Sequence, residues 1–257
     1  MIRVMGFNIR YGDADDGENS WDCRKALAIA RIRAFDPDLL GIQECQEDFQ
    51  AEYVRRCLPA YQFHGVRNEA GECSSEMTPL LFKDSVFEEI RRGCFWLSDS
   101  PLVAGSKSWD SWFARTTMWS ELREKRSNRS LLFLNTHFDY APLASEESAR
   151  LLARWIENVA KGFPVIVTGD FNADKGTRAY QRLAGRGVLF DVHRSVHLER
   201  GSEGTYHDYG KAHVPMPIDW ILASEHFEPR TAGVDAYREG HLFPSDHYPV
   251  TTVLDWR

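Results

Sequence analysis

The sequence predicts an α/β (α+β) fold in which two mixed β-sheets pack face to face with helices outside. Three observations predict it. Apolar, β-branched runs of strand length outnumber the segments with helical spacing. These runs come both as hairpins and as strand–helix–strand units, a mixture that builds mixed sheets. Several of them also stop on acids, amides or histidines. The clearest is Val165-Ile166-Val167-Thr168-Gly169-Asp170-Phe171-Asn172, which follows Pro164 and delivers an acid and an amide at its carboxyl end. Sheets of α/β proteins place their ligands there.

Residues 2–9 read as a buried strand carrying Asn8, followed by a polar loop over 11–20. Asp22 is placed to cap a helix over 23–35, where Leu27, Ala30 and Phe35 recur at helical spacing. Asp36-Pro37-Asp38 breaks it, and 39–42 forms the next buried strand, ending in Gln43-Glu44. A helix over 46–57 and a strand over 61–66 follow. The loop 67–75 is polar and glycine-bearing, hence exposed. Strands are expected at 78–83 and 86–97, then a long loop, 98–114, holding Trp109, Trp112 and Phe113. Strands 116–123 and 130–136 make a hairpin around Lys125-Arg126-Ser127-Asn128. Residues 145–160 form an amphipathic helix with Ser145 as N-cap and Leu151, Leu152, Trp155, Ile156 and Val159 on one face. After the strand ending at Asp170 come a short helix over 177–184, a loop-rich segment with His193, His197 and His207, and strands at 218–223, 230–236 and 249–255. No repeat or low-complexity linker interrupts the chain, so residues 1–257 are expected to form a single domain.

The 257 residues are 43% apolar, include eight Trp and carry a net charge of −7. That charge argues against a broad basic face gripping nucleic acid. Five cysteines, Cys23, Cys45, Cys57, Cys73 and Cys94, are odd in number and contain no Cys-x-x-Cys pair, which reads as reduced thiols of a cytoplasmic protein. Met1-Ile2-Arg3-Val4 runs straight into a strand without a signal-peptide pattern, and no apolar run approaches a membrane span, so no membrane partner is expected.

Chemistry-bearing residues collect at strand ends: Asn8, Glu44, His137 with Asp139, Asp170 with Asn172, and Asp219 followed by Asp246-His247. Gly-Asp-Phe-Asn alone reads as an ordinary turn; its recurrence in kind at other strand ends argues otherwise. Oxygen donors with few nitrogens and no cysteine suit Mg²⁺ or Mn²⁺ better than zinc. Glu44 and Asp246 are the candidate ligands. Asp170 is placed to take a proton from an attacking water, and Asn172 to orient that water or a phosphate. His137 and His247 are candidates to bond phosphoryl oxygens, with Glu76 and Asp219 as the acids that keep them cationic.

Gly6-Phe7-Asn8, Gly41-Ile42-Gln43-Glu44, Asn135-Thr136-His137-Phe138-Asp139, Gly169-Asp170-Phe171-Asn172, Ile218-Asp219-Trp220-Ile221 and Ser245-Asp246-His247-Tyr248-Pro249 resemble, in order, the signature blocks of the endonuclease/exonuclease/phosphatase superfamily. The resemblance spans residues 2–255. It implies a four-layered α/β sandwich and metal-dependent hydrolysis of a phosphoester by water. It also implies roles for Asn8 at the metal, for Asp170, Asn172, Asp219 and His247 in catalysis, for Glu76 behind His137, and for Arg115 on the phosphate. The apurinic-endonuclease Asn-Ala-Arg block and the deoxyribonuclease disulfide are missing. Phe95-Trp96-Leu97-Ser98, Gly105-Ser106, Trp109-Asp110, Arg115 and Gly204-Thr205-Tyr206-His207 look like a bacterial branch whose substrates are mostly unassigned. His207, in a loop feeding the Asp219 strand, is a candidate substrate contact.

The expected function is therefore a monomeric, divalent-metal-dependent phosphoesterase acting on a small phosphorylated metabolite. A nuclease on DNA or RNA is the alternative. A non-catalytic module would not need these motif residues. The basic hairpin Arg123, Lys125, Arg126 and Arg129 lies roughly 20 Å of strand from His137 and reads as a solvated tip. His193 and His197 lack the Glu of a metalloprotease pair and read as surface histidines. Trp109, Trp112 and Phe113 read as a loop packing on the core rather than as a stacking surface, and Trp21 and Arg24 carry the same two readings.

Overall fold

The computed structural model describes residues 1–69, 75–185, 189–197, 204–212 and 215–257. In chain order the strands are β1 (Ile2–Asn8), β2 (Leu39–Gln43), β3 (Cys45–Gln46), β4 (Tyr61–His64), β5 (Glu76–Met77), β6 (Leu80–Lys83), β7 (Phe87–Trp96), β8 (Thr116–Glu124), β9 (Ser130–His137), β10 (Val165–Asp170), β11 (Phe190–Asp191), β12 (Asp219–Ala223), β13 (Phe227–Val234) and β14 (Val250–Trp256). The helices are α1 (Trp21–Phe35), α2 (Phe49–Cys57), α3 (Pro142–Trp155), α4 (Arg178–Tyr180) and α5 (Val192–Val196).

Two six-stranded sheets form, ordered β13-β14-β1-β2-β6-β4 and β11-β12-β10-β9-β8-β7. β1 runs parallel to β2 and β10 parallel to β9, while the other pairs in both sheets are antiparallel. The period-2 alternation of side chains decides what each sheet faces. Ile2, Val4, Leu39 and Phe82 of one sheet meet Met118, Leu131, Phe133 and Ile166 of the other. On the outer face of the first sheet, Met5, Phe7, Leu40 and Ile42 pack against Ala28, Ile29 and Ile32 of α1 and Val54 of α2. On the outer face of the second, Leu132, Leu134, Val165 and Val167 pack against Ala149, Leu152 and Ala153 of α3. The result is the expected four-layered sandwich of helix, sheet, sheet and helix. No helix among the described residues is long and apolar enough to cross a membrane.

Local departures from the sequence reading have local causes. The helix expected over 46–57 starts only at Phe49, because Cys45–Gln46 pairs with Glu76–Met77 as a small separate ladder. The helix expected over 145–160 starts at Pro142, whose fixed φ and missing N–H suit the first helical turn. Ser145 is therefore inside the helix and not its N-cap, and Val159 is 44% exposed. The pairing of Phe190–Asp191 and the short α5 carry too few residues to leave a periodic signal. The predicted loop 67–75 falls partly outside the described residues, as does Cys73; Cys23, Cys45, Cys57 and Cys94 are free.

A buried polar stitch joins the two sheets beneath one end of the sandwich. Asn135 on β9 donates to the carbonyls of Ile42 (2.7 Å) and Pro79 (2.8 Å). Its Oδ1 accepts from Gln43 Nε2 (2.6 Å) and from Thr168 Oγ1 (2.9 Å) on β10. Gly41 makes this approach possible, since a Cβ there would lie 2.0 Å from Thr168 Oγ1 and 2.4 Å from Asn135 Oδ1. The stitch holds the ends of β2, β9 and β10 together, and those ends carry Glu44, His137 and Asp170.

Candidate active site

Asp170, at the carboxyl end of β10, is the centre of the site. Its Oδ1 accepts the Asn172 backbone N–H (2.9 Å), and its Oδ2 accepts Asn8 Nδ2 (2.9 Å). The same Asn8 nitrogen donates to Glu44 Oε1 (2.9 Å), so one amide clamps two carboxylates from different sheets. Glu44 Oε2 takes the Tyr11 N–H at 3.1 Å. Glu44 and Asn172 both sit at positive φ (60° and 46°), which turns their side chains back over the strand ends. Non-glycine residues hold that conformation only where the surroundings enforce it.

Two histidines flank Asp170 Oδ2: His137 Nε2 at 3.5 Å and His247 Nε2 at 3.8 Å. Their charge states differ. Burial works against the His247 cation, but the Asp219 and Asp170 carboxylates outweigh it and hold the imidazole well above its ordinary pKa. Asp219 Oδ2 fixes its Nδ1 at 2.9 Å. His137 is fully buried, and burial, Arg115 and His247 together press it well below its ordinary value, so it is neutral. Arg115 Nη1 donates to His137 Nδ1 (2.9 Å), and Asn172 Nδ2 stands 3.1 Å from Nε2, the atom that faces Asp170. Burial and the Asp219 charge push Asp170 itself up to about 7.

The expectation that Glu76 supports His137 directly needs correcting. Arg115 stands between them, donating through Nη1 to Glu76 Oε2 at 3.1 Å, so the histidine has a cation and not an acid behind it. Arg115 is 4% exposed, and its Nε has no partner among the described protein atoms. Asn8, expected as a metal ligand, turns its amide nitrogen to the carboxylates and its Oδ1 to the Arg10 N–H (2.9 Å). Asn172 donates to the Phe138 carbonyl (2.9 Å) and lies against His137 Nε2. Asp246 takes Ser245 Oγ on one oxygen and faces Arg10 Nε across 3.7 Å with the other. His207 stacks on Tyr248 (3.9 Å) and Phe243 (4.7 Å) and caps a short turn by accepting the Gly210 N–H.

Arg24 is a positioning residue whose role the sequence left open. Fully buried, it donates to the carbonyls of Ile9, Arg10, Asn19 and Pro244. It thereby ties the loop after β1 to the loop that delivers Asp246. The cleft above these residues is lined by Arg10, Tyr11, Asp13, Glu44, Gln46, Glu76, Phe113, Arg115 and Tyr140.

The donor set fits a hard divalent cation. Ligand atoms of Glu44, His137 and Asp170, and likewise of Asp170, Asp219 and His247, lie within 4.8 Å of one another. Asp219 Oδ1 is buried without a hydrogen-bond partner among the described residues, and burial together with Glu44 raises Asp246 despite the pull of His247 and Arg10. Crowded buried carboxylates of this kind are stabilised by a cation among them.

Residues 5–247 match the model of the Endonuclease/Exonuclease/phosphatase family. The chain belongs to that family. Its members hydrolyse phosphoric ester bonds, generally with a divalent metal, and this chain is a hydrolase of that kind. A family structure from Bacteroides vulgatus superposes with a TM-score of 0.91 at 28% identity, covering 100% of this chain and 99% of that one. A mannosyl-6-phosphatase from Bacteroides thetaiotaomicron gives 0.89 at 29% identity, covering both chains fully. Nocturnin from Rattus norvegicus is 24% identical over 279 residues, or 96% of this chain and 63% of that protein.

Proposed function

We propose that this protein hydrolyses phosphate monoesters of small phosphorylated metabolites, sugar phosphates foremost, with Mg²⁺ or Mn²⁺ as cofactor. The observation that carries the reading is the gathering of Asn8, His137 and His247 around Asp170 Oδ2, with Glu44 joined through Asn8, beside a cleft with Arg115 in its wall. Glu44 and Asp246 would hold the cation, which when bound supplies positive charge to the phosphoryl oxygens. The remaining work falls to the chain's own groups. Asp170, fixed by Asn8 and Asn172, takes the proton of the attacking water. The His247 cation donates to phosphoryl oxygens as charge develops there, with His137 beside it at the same Asp170 oxygen. Arg115 fixes His137 through Nδ1 and meets the phosphate from the cleft wall.

Two things favour a small substrate. The cleft presents Asp13, Glu44 and Glu76 beside only two cations, Arg10 and Arg115, which suits a single phosphoryl group better than a polyanion. The whole-length likeness to a mannosyl-6-phosphatase points to a sugar phosphate. The test is turnover of a chromogenic phosphomonoester and its diester with Mg²⁺, Mn²⁺ or EDTA, beside a plasmid and a single-stranded oligonucleotide. Monoester turnover that needs the metal and disappears in Asp170→Asn supports the reading. Nicked plasmid or shortened oligonucleotide, lost in the same variant, makes the protein a nuclease instead.

A further inference from the structure

Around the mouth of the cleft, three large aromatic side chains are left in solvent: Trp112 (67% exposed), Phe113 (44%) and Tyr140 (47%). They form one wall. Tyr140 meets Trp112 edge-on at 6.1 Å and Phe113 edge-on at 6.2 Å. A single buried acid fixes that wall. Asp139, two residues beyond His137 and 1% exposed, accepts the backbone N–H groups of Trp112 (3.0 Å) and Phe113 (2.9 Å) on Oδ2 and that of Ala141 (2.9 Å) on Oδ1. The loop that the sequence suggested would pack on the core is instead tied to the end of the His137 strand, with its rings facing outward.

The wall also touches the proposed phosphate site. The Arg115 guanidinium carbon lies 5.0 Å from the Phe113 ring centre and 5.8 Å from that of Tyr140. The same cleft is lined by Asp13, held by Gln46 Nε2 at 2.7 Å, and by Glu76, which takes Arg115 Nη1 at 3.1 Å. The cleft thus offers aromatic faces and carboxylate acceptors together.

Resting on the phosphomonoesterase reading, we propose that Phe113 and Tyr140, positioned by Asp139, form a platform for the ring of a cyclic sugar phosphate, whose hydroxyls donate to Asp13 and Glu76. A saturated ring uses both features at once, its C–H face on the aromatics and its hydroxyl edge on the acids. A flat base would use only the aromatic wall, and an acyclic alcohol would leave it bare. The platform acts on binding more than on chemistry, because it contacts the leaving alcohol and not the phosphorus.

The experiment compares a hexose 6-phosphate, glycerol 3-phosphate and adenosine 5′-monophosphate in the wild type, Phe113→Ala, Tyr140→Ala and Asp139→Asn proteins. The two aromatics are surface-exposed, so their alanine variants should fold. The expected result is a KM for the hexose phosphate about 10- to 100-fold higher in each variant, the size of a lost ring stack. Its kcat and the constants for glycerol 3-phosphate should stay within about threefold. Equal losses on both substrates would mean that Phe113 merely steadies Arg115, and would overturn the platform. So would preference of the wild type for the nucleotide. If none of the three esters turns over, the functional reading fails, and saturation-transfer NMR on Asp170→Asn still decides the platform. Hexose ring protons saturated in that protein, and not once Phe113→Ala is added, support it; no saturation sinks it.

Discussion

Replacing Gly41 with alanine tests whether the two sheets are held at the separation the site requires. The added methyl carbon would sit 2.0 Å from Thr168 Oγ1 and 2.4 Å from Asn135 Oδ1, overlapping both by roughly 1 Å or more relative to ordinary contact. Neither atom can retreat freely, because Thr168 Oγ1 bonds Asn135 Oδ1 and Gln43 Nε2 bonds it from the other side. Overpacking costs about 1–3 kcal/mol. Breaking two buried hydrogen bonds adds about 1–3 kcal/mol for any group left unpaired. The expected loss is about 2–6 kcal/mol, which for a chain of this size lowers Tm by about 4–24 °C. Differential scanning calorimetry and urea unfolding would measure it. In a Thr168→Ala background one clashing atom is gone, so the Gly41→Ala penalty should shrink by about 1 kcal/mol or more. A penalty below about 1 kcal/mol, or one unchanged by Thr168→Ala, would refute the stitch as the spacer between the sheets.

Three further outcomes are expected. A saturating divalent cation should raise Tm over the EDTA-treated protein by about 5–10 °C, corresponding to about 2.7 kcal/mol at a hundred times Kd. Glu44→Gln should lose most of that shift in a thermal-shift assay, and an undiminished shift would remove Glu44 from the cation site. Asp219→Asn, which takes the anion from His247 Nδ1, should lower kcat about 10²- to 10⁴-fold with KM little changed; steady-state activity within tenfold of wild type would contradict the proposed role of the His247 cation. Finally, His64 packs at Ser120 Oγ, which itself bonds Glu89, and burial with the nearby Arg92 pushes its pKa down to about 4. The folded protein keeps His64 neutral while the unfolded chain protonates it near 6.5. Its contribution is therefore complete above about 6.5 and is lost as pH falls towards 4. Urea unfolding between pH 7 and 4 should show a shallower acid limb in His64→Gln, and identical limbs would show that another group sets it.

Much of this protein is written in its sequence, because the information is local. Short runs such as Val165–Asp170 fix their own strand character through β-branched residues and alternation. The polar residue that ends each run arrives at the carboxyl end of a strand without further instruction. Asn8, Glu44, His137 and Asp170 could be named together for that reason, while Asp219 opens β12 and reaches the same end because β12 runs antiparallel to β10. Partners depend instead on which strands become neighbours and on where loops return, and no spacing along the chain encodes those. Only the folded chain puts Arg115, from the start of β8, between Glu76 and His137, and so makes that histidine neutral while Asp219 makes His247 a cation. Only the fold buries Arg24 against four carbonyls, stacks His207 on Tyr248 and ties the Trp112–Phe113 loop to Asp139 with those two rings in solvent. Strand ends are a property of the sequence; the charge each side chain carries there is a property of its neighbours.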